Sequence, residues 1–126
     1  MAKIIRAAAL AAAIWTAALA TALAAPNDGF ASFWQSFTVA MAKDDQAALS
    51  GMVSLSERLD DATPLTFARF HSDHLGAATR RCLAKAKPLR DVDGTGAVTY
   101  TAFCGELNYS FYRIGGAWKL TDIGAN

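Results

Sequence analysis

The sequence predicts an α+β domain, with N-terminal helices packed on a curved antiparallel sheet and a cleaved signal peptide ahead of them. Three observations carry this. Apolar residues recur at helical spacing between Phe30 and about Leu75. From Thr79 onward the period changes to two, with Asp- and Gly-rich turns between the runs. The opening residues have the basic, apolar, small-residue layout of an export leader rather than of a folded element.

Lys3 and Arg6 form a short basic region, and the run from Ala7 to Leu23 carries no charge. It closes on Ala22-Leu23-Ala24, the small-x-small pattern that a signal peptidase accepts. Pro26 then ends any helix, and Asn27, Asp28 and Gly29 begin a polar stretch. The expected division is residues 1–24 as signal peptide and 25–126 as one domain, placed in the periplasm or secreted. The alternative is an uncleaved anchor. A spanning helix needs about 20 strongly apolar residues, and this run is shorter and mostly Ala.

The full chain has 12 basic and 11 acidic residues. Lys3 and Arg6 leave with the leader, so the mature chain is close to neutral, and its charge gives no argument for nucleic acid. About 100 mature residues suit a single core. The supply of Phe, Trp and Tyr after residue 29 speaks for a packed globule and against disorder.

In the helical half, Phe30, Phe33, Trp34, Phe37 and Met41 form one face, with Ala40 and Ala48 near the same stripe. Core packing explains such a stripe better than a cofactor site. Asp44 caps a second short helix, Asp45 to about Met52. Val53 to Leu59 reads as a short strand or an irregular segment, and Asp60–Thr63 as a loop. Thr63-Pro64 starts a third helix, which Gly76 stops after Leu75.

In the second half, Arg80–Leu89 is read as a first strand, with Pro88 marking an edge or bulge. Ala97–Cys104 alternates Val98, Tyr100 and Ala102 against Thr99, Thr101 and Phe103. Leu107, Tyr109 and Phe111 alternate with Asn108, Ser110 and Tyr112, so Tyr109 and Tyr112 face opposite sides. Gly115-Gly116 is a hairpin turn, and Ala117–Ile123 is the last strand, with Trp118 and Leu120 together.

Cys82 and Cys104 are the two cysteines, and in an oxidising compartment an even pair is read first as a disulfide. They are equidistant in sequence from Asp93, so a three-residue loop with Gly94 in the left-handed position sets them opposite each other in a hairpin. Such a bridge stabilises by about 3 kcal/mol in the chain-entropy model. Two buried thiols or a redox pair are the competing readings, but a redox pair usually has C-x-x-C spacing.

The stretch from Phe37 to Leu49 resembles the helix, Gly-Asp, helix pattern of the NTF2-like (cystatin-like α+β cone) superfamily, with Asp44 where Gly is more usual. Tyr109 to Leu120 resembles its aromatic strand, Gly-rich turn and Trp-Lys-Leu ending, and the element order agrees across the mature chain. The resemblance implies a conical pocket between the concave sheet face and the helices. It does not imply one activity, since the superfamily includes isomerases, dehydratases, cyclases, transport factors and binding proteins.

His71-Ser72-Asp73-His74 sets two His three apart on a helix face shared with Phe67 and Phe70. Metal binding and proton transfer are open to it. However, the strong zinc pattern places His four apart, and no third ligand is indicated. A helix-end or pocket-rim role fits as well, because cations are favoured there. Asp91-x-Asp93-x-Thr95-Gly96 copies the first half of a calcium loop, but position twelve would be Ala102 and strands flank it, so it reads as a turn. On the expected first strand Arg81, Lys85 and Lys87 point one way, toward an anionic polymer or acidic partner, or simply as edge protection. Glu106 is the sole acid in the central strands, either a pocket base or an exposed turn residue.

The expectation for function is an exported binding or accessory domain. Trp34, Tyr100, Tyr109, Arg81, Lys85 and Lys87 are its candidate binding residues, and no metal or other cofactor is expected. The partner would be a small apolar ligand or an envelope component, without nucleic acid, and without a membrane once the leader is cleaved; monomer and homodimer both stay open. The alternative is a small isomerase, cyclase or hydrolase with Glu106, His71 or His74 as proton-transfer groups. An acid or His beside a Tyr in a deep pocket separates the two readings.

Overall fold

The structure is a computed structural model, and it describes residues 27–54 and 66–125. The expected leader, the cap at Thr63 and nearly all of the ambiguous segment after Val53 lie outside the described residues. Among the described residues four helices, α1 Phe30–Lys43, α2 Gln46–Ser50, α3 Phe67–His74 and α4 Ala77–Lys85, precede four strands, β1 Leu89–Val92, β2 Val98–Cys104, β3 Leu107–Ile114 and β4 Ala117–Ala125. The strands form one antiparallel sheet in sequential order, and the helices pack on one of its faces. The fold class is α+β, as the sequence predicts.

Helix α1 forms because its apolar residues repeat along one face, and it buries Phe30, Phe37, Ala40 and Met41. It ends at Asp44, which takes the left-handed conformation at φ 51°. There the Asp44 and Asp45 amides bond back to Met41 and Ala40 carbonyls, a helix stop usually given to Gly. Asp45, one residue later than expected, caps α2 by accepting the Ala48 amide at 3.2 Å. Among the described residues α3 starts at Thr66, whose hydroxyl accepts the Arg69 amide.

The sequence expectation fails at Arg80–Leu89. Ala77–Lys85 is a helix, and only Leu89 of the expected strand lies in β1. Gly76 is thus a break between two helices, ending one and standing at the N-terminus of the next. Ala, Arg, Leu and Lys are strong helix formers, and one fully buried residue, Leu83, suffices to dock a two-turn helix. Arg81 and Lys85 are therefore on a helix, and Lys87 is in the exposed link to β1, so these three residues do not form the expected basic strand.

The β1–β2 hairpin is also displaced. Val92 faces Val98 and Leu89 faces Thr101, so the loop runs Asp93–Ala97 and centres on Thr95. The Asp93 carboxylate fills it, accepting the Thr95 amide and hydroxyl at 2.8 and 2.6 Å and the Ala97 amide at 3.0 Å. These bonds make it a turn. Gly115 and Gly116, at φ 58° and 82°, make the two-residue β3–β4 turn, which needs positive φ at both positions.

The Cys82–Cys104 disulfide is present, but not across a hairpin. It joins α4 to the end of β2, with Cα atoms 5.9 Å apart. Strand alternation holds as read: Tyr100, Ala102, Tyr109, Phe111, Trp118 and Leu120 are buried on the helix side, while Phe103 and Tyr112 are exposed on the other. Phe30 stacks on Tyr100 with centroids 3.6 Å apart, and Phe37 meets Phe111 edge-on at 5.2 Å. Side chains of the core thus fill most of the space between sheet and helices where the resemblance implies a pocket, leaving a small cavity of about 100 Å³ between α3 and β4, lined by Phe70, His74, Leu120 and Ile123 among others.

Candidate functional site

With most of the interior filled, the polar groups gather at the edges of the helix layer. A concavity of about 330 Å³ lies between α1 and α4, lined by Met41, Ala42, Ala77, Arg80, Arg81, Ala84 and Lys85. Its construction follows from α4. Leu83 points into the core and Cys82 is bonded to β2, which fixes the helix's rotation. That rotation sets Ala77, Arg81, Ala84 and Lys85 toward the groove, one or two turns apart. The alanines and Met41 give a low apolar floor, and the cations give a rim. Among the described residues Arg81 and Lys85 form no ion pair.

Arg80 is tied at the inner end of this groove. Its guanidinium donates to the Leu75 carbonyl at 2.7 Å, and its Nε lies 3.6 Å from Asp44 Oδ1. The same Asp44 oxygen meets His71 Nε2 at 2.7 Å. One carboxylate oxygen thus joins the end of α1 to both α3 and α4. The His71 hydrogen bond is the main cause that holds the Asp44 carboxyl below its ordinary value, with the nearby Arg80 charge adding to it against partial desolvation.

A second polar cluster surrounds Asp28. Its Oδ1 accepts the Phe30 amide at 3.0 Å, and its Oδ2 accepts the Tyr100 hydroxyl at 2.5 Å, with Arg90 Nε at 3.5 Å. Its backbone carbonyl accepts Trp118 Nε1 at 2.9 Å and the Arg113 guanidinium, which also lies over the Trp118 ring. Burial pushes Asp28 up, but Tyr100, the Phe30 amide and Arg90 outweigh it and hold the carboxyl down. Burial, then the Asp28 bond, pushes the Tyr100 hydroxyl up. An acid stands beside a Tyr, as the enzyme reading requires. Yet the acid is saturated with donors and biased to stay ionised, which opposes proton transfer near neutral pH. The cluster works as a latch for the start of α1.

The other candidates fall apart from one another. His74 packs on Phe70 at the wall of a small cavity of about 100 Å³, with Ser54, Thr121 and Asp122. Glu106 sits in the tight turn after Gly105 and is exposed, so it lines no pocket with the tyrosines. Tyr109 is fully buried in the core, and Trp34 is half-buried against Phe30, Phe37 and Phe111. Arg81 and Lys85 are brought together, and Lys87 is not among the groove residues. Sequence reasoning missed Asp28 and the Asp44–Arg80 contact. Asp44 alone left a signal, by standing where Gly is usual.

Among the described residues no group of three or more His, Cys, Asp or Glu side chains is placed to hold a metal, and no helix is long and apolar enough to cross a membrane. Compared with known proteins, the chain matches no family model, no curated protein and no solved structure.

Proposed function

We propose that the chain is an exported, non-catalytic binding domain that holds an anionic amphiphile in the α1–α4 groove. The observation that carries this is the pairing of an apolar floor with Arg81 and Lys85, two cations without an ion-pair partner among the described residues. A sulfate, phosphate or carboxylate head would meet the cations, and a short apolar tail would lie over Ala42, Ala77 and Ala84. The leader-like start and the disulfide support export, since such bonds persist in oxidising compartments. The NTF2-like reading of the fold rests on the helix pair and the aromatic closing hairpin, and the groove lies outside the cone that it implies. Octyl sulfate tests the site by calorimetric titration. The wild type binds it, octyl glucoside of equal tail length binds at least tenfold more weakly, and the Arg81→Gln/Lys85→Gln protein loses about tenfold in affinity. Equal binding of both detergents, or no loss in the double variant, would overturn the reading.

A further inference from the structure

We infer that a proton on His71 controls how tightly the α1–α4 groove holds an anion, because His71 and Arg80 share one oxygen of Asp44. The inference rests on the groove reading above and adds a regulator to it.

The geometry sets up a competition. Asp44 Oδ1 is 2.7 Å from His71 Nε2 and 3.6 Å from Arg80 Nε, and Arg80 lines the groove. The two contacts come from different helices and converge on one atom held by the left-handed turn at Asp44. When His71 is neutral, Asp44 is a full negative charge next to the groove's inner cation, and it offsets part of the field that an anion meets. When His71 is protonated, the imidazolium neutralises that charge at the shorter distance, and the field of Arg80 reaches the groove undiminished.

Imidazole changes charge between about pH 5 and pH 8. Asp44 does not titrate in that window, because its carboxyl is held below its ordinary value. The other charged groups about His71 do not reproduce the effect. On its own helix Arg69 and Asp73 pair with each other at 3.2 Å in the exposed surface. His74 lines the Thr121–Asp122 cavity and is not among the residues of the α1–α4 groove. From α1 and α2, Lys43 and Asp45 are exposed, and Asp45 is committed to the Ala48 amide.

The sign follows directly. A proton on the His71 imidazole adds one positive charge near the site, so an anion of fixed charge binds more tightly to the protonated form, which acid favours. At low ionic strength the expected gain is about twofold to fivefold between pH 7.5 and 5.5, shrinking with added salt.

Octyl sulfate is the probe, since its head carries the same charge at both pH values. Calorimetric titration of the wild type at pH 7.5 and 5.5 should show the gain, His74→Gln should keep it, and His71→Gln should bind equally at the two pH values. Asp44→Asn, which keeps a side chain that tolerates the left-handed turn, should bind at pH 7.5 about as tightly as the wild type does at pH 5.5. Equal wild-type affinity at both pH values overturns the inference, as does a full pH response in His71→Gln or an unchanged neutral-pH affinity in Asp44→Asn. Should His71→Gln fail to fold, the wild-type and Asp44→Asn titrations decide alone. The Arg81→Gln/Lys85→Gln protein separates the two readings: full binding there removes the groove itself, whereas lost binding there with no wild-type pH response removes only the His71 control.

Discussion

Asp28 and Asp44 each gather contacts from several elements, yet they do different work. Asp28 fixes the start of α1 to the sheet through Tyr100, Arg90, Arg113 and Trp118. The folded pKa of its carboxyl is depressed, so its contribution is present above the unfolded value near 3.8 and is lost as pH falls through the lower folded value. Tyr100 works in the reverse sense: its folded pKa is raised, so its contribution is present below the unfolded value near 10 and is lost as pH rises through the folded one. Tyr100→Phe should cost about 1.5 kcal/mol at pH 7 by urea unfolding, as for a hydrogen bond to a charged group. The gap to wild type should narrow both below pH 4 and above pH 10. A gap that stays constant from pH 2 to pH 11 would show that the hydroxyl's bond to the carboxylate is not what stabilises the site. Little of this was legible in the sequence, because the partners Arg90, Tyr100, Arg113 and Trp118 lie 62 to 90 positions from Asp28 and no local pattern encodes such contacts.

Asp44 pairs a conformational cost with a contact. A left-handed residue with a Cβ is disfavoured, and Asp is among the few side chains that accept it. Asp44→Gly should relax the backbone while deleting the bonds to His71 and Arg80. Its thermal midpoint should therefore move less than that of His71→Ala, which removes the imidazole and gives the backbone no relief. Differential scanning calorimetry of the two variants checks this, and a larger loss in Asp44→Gly would contradict it.

The elements show where sequence patterns carry far and where they stop. The aromatic face of α1, the strand alternation of β2 and β3 and the Gly115-Gly116 turn follow from local spacing, and the structure keeps them. The strand expectation at Arg80–Leu89 fails because its short run of Arg, Cys, Leu, Ala and Lys fits an alternating edge strand as well as a helix with one buried residue. The cysteines encouraged the strand reading, since a hairpin would also have paired them. In the actual register Cys104 would oppose position 86 if the β1–β2 ladder continued, so the helix is what brings Cys82 to it. The bond therefore clamps α4 to the sheet. Replacing both cysteines by Ala should cost about 3 kcal/mol on chemical unfolding, and the amides of α4 should lose hydrogen-exchange protection before those of β2 and β3. Uniform loss across the domain would show that the bond acts only on the unfolded chain. Phe37→Ala, in the middle of the α1 face, should cost about 3–5 kcal/mol, and a loss below 1 kcal/mol would contradict its place against Phe111.

At the scale of the whole molecule, one face of the sheet supplies the core and the helices close over it. The aromatic side chains that the sequence offered as pocket lining are the core itself: Tyr109 is 1 % exposed and Tyr100 8 %. Alternation told which residues share a face but not whether that face is filled or hollow, since this depends on how closely α1 approaches. The candidate basic residues were legible as a group, but their surface was not, because it needed the rotation of α4. The proposed binding surface is an outer groove between two helices rather than the inside of the fold. The most direct test is a two-dimensional NMR titration of the ¹⁵N- and methyl-labelled protein with octyl sulfate. Shifts concentrated at Met41, Ala42, Ala77, Arg81, Ala84 and Lys85, with Tyr109 and Phe111 unmoved, are the predicted result. Shifts centred on Tyr109, Phe111 and Leu120, with α4 unmoved, would contradict the account.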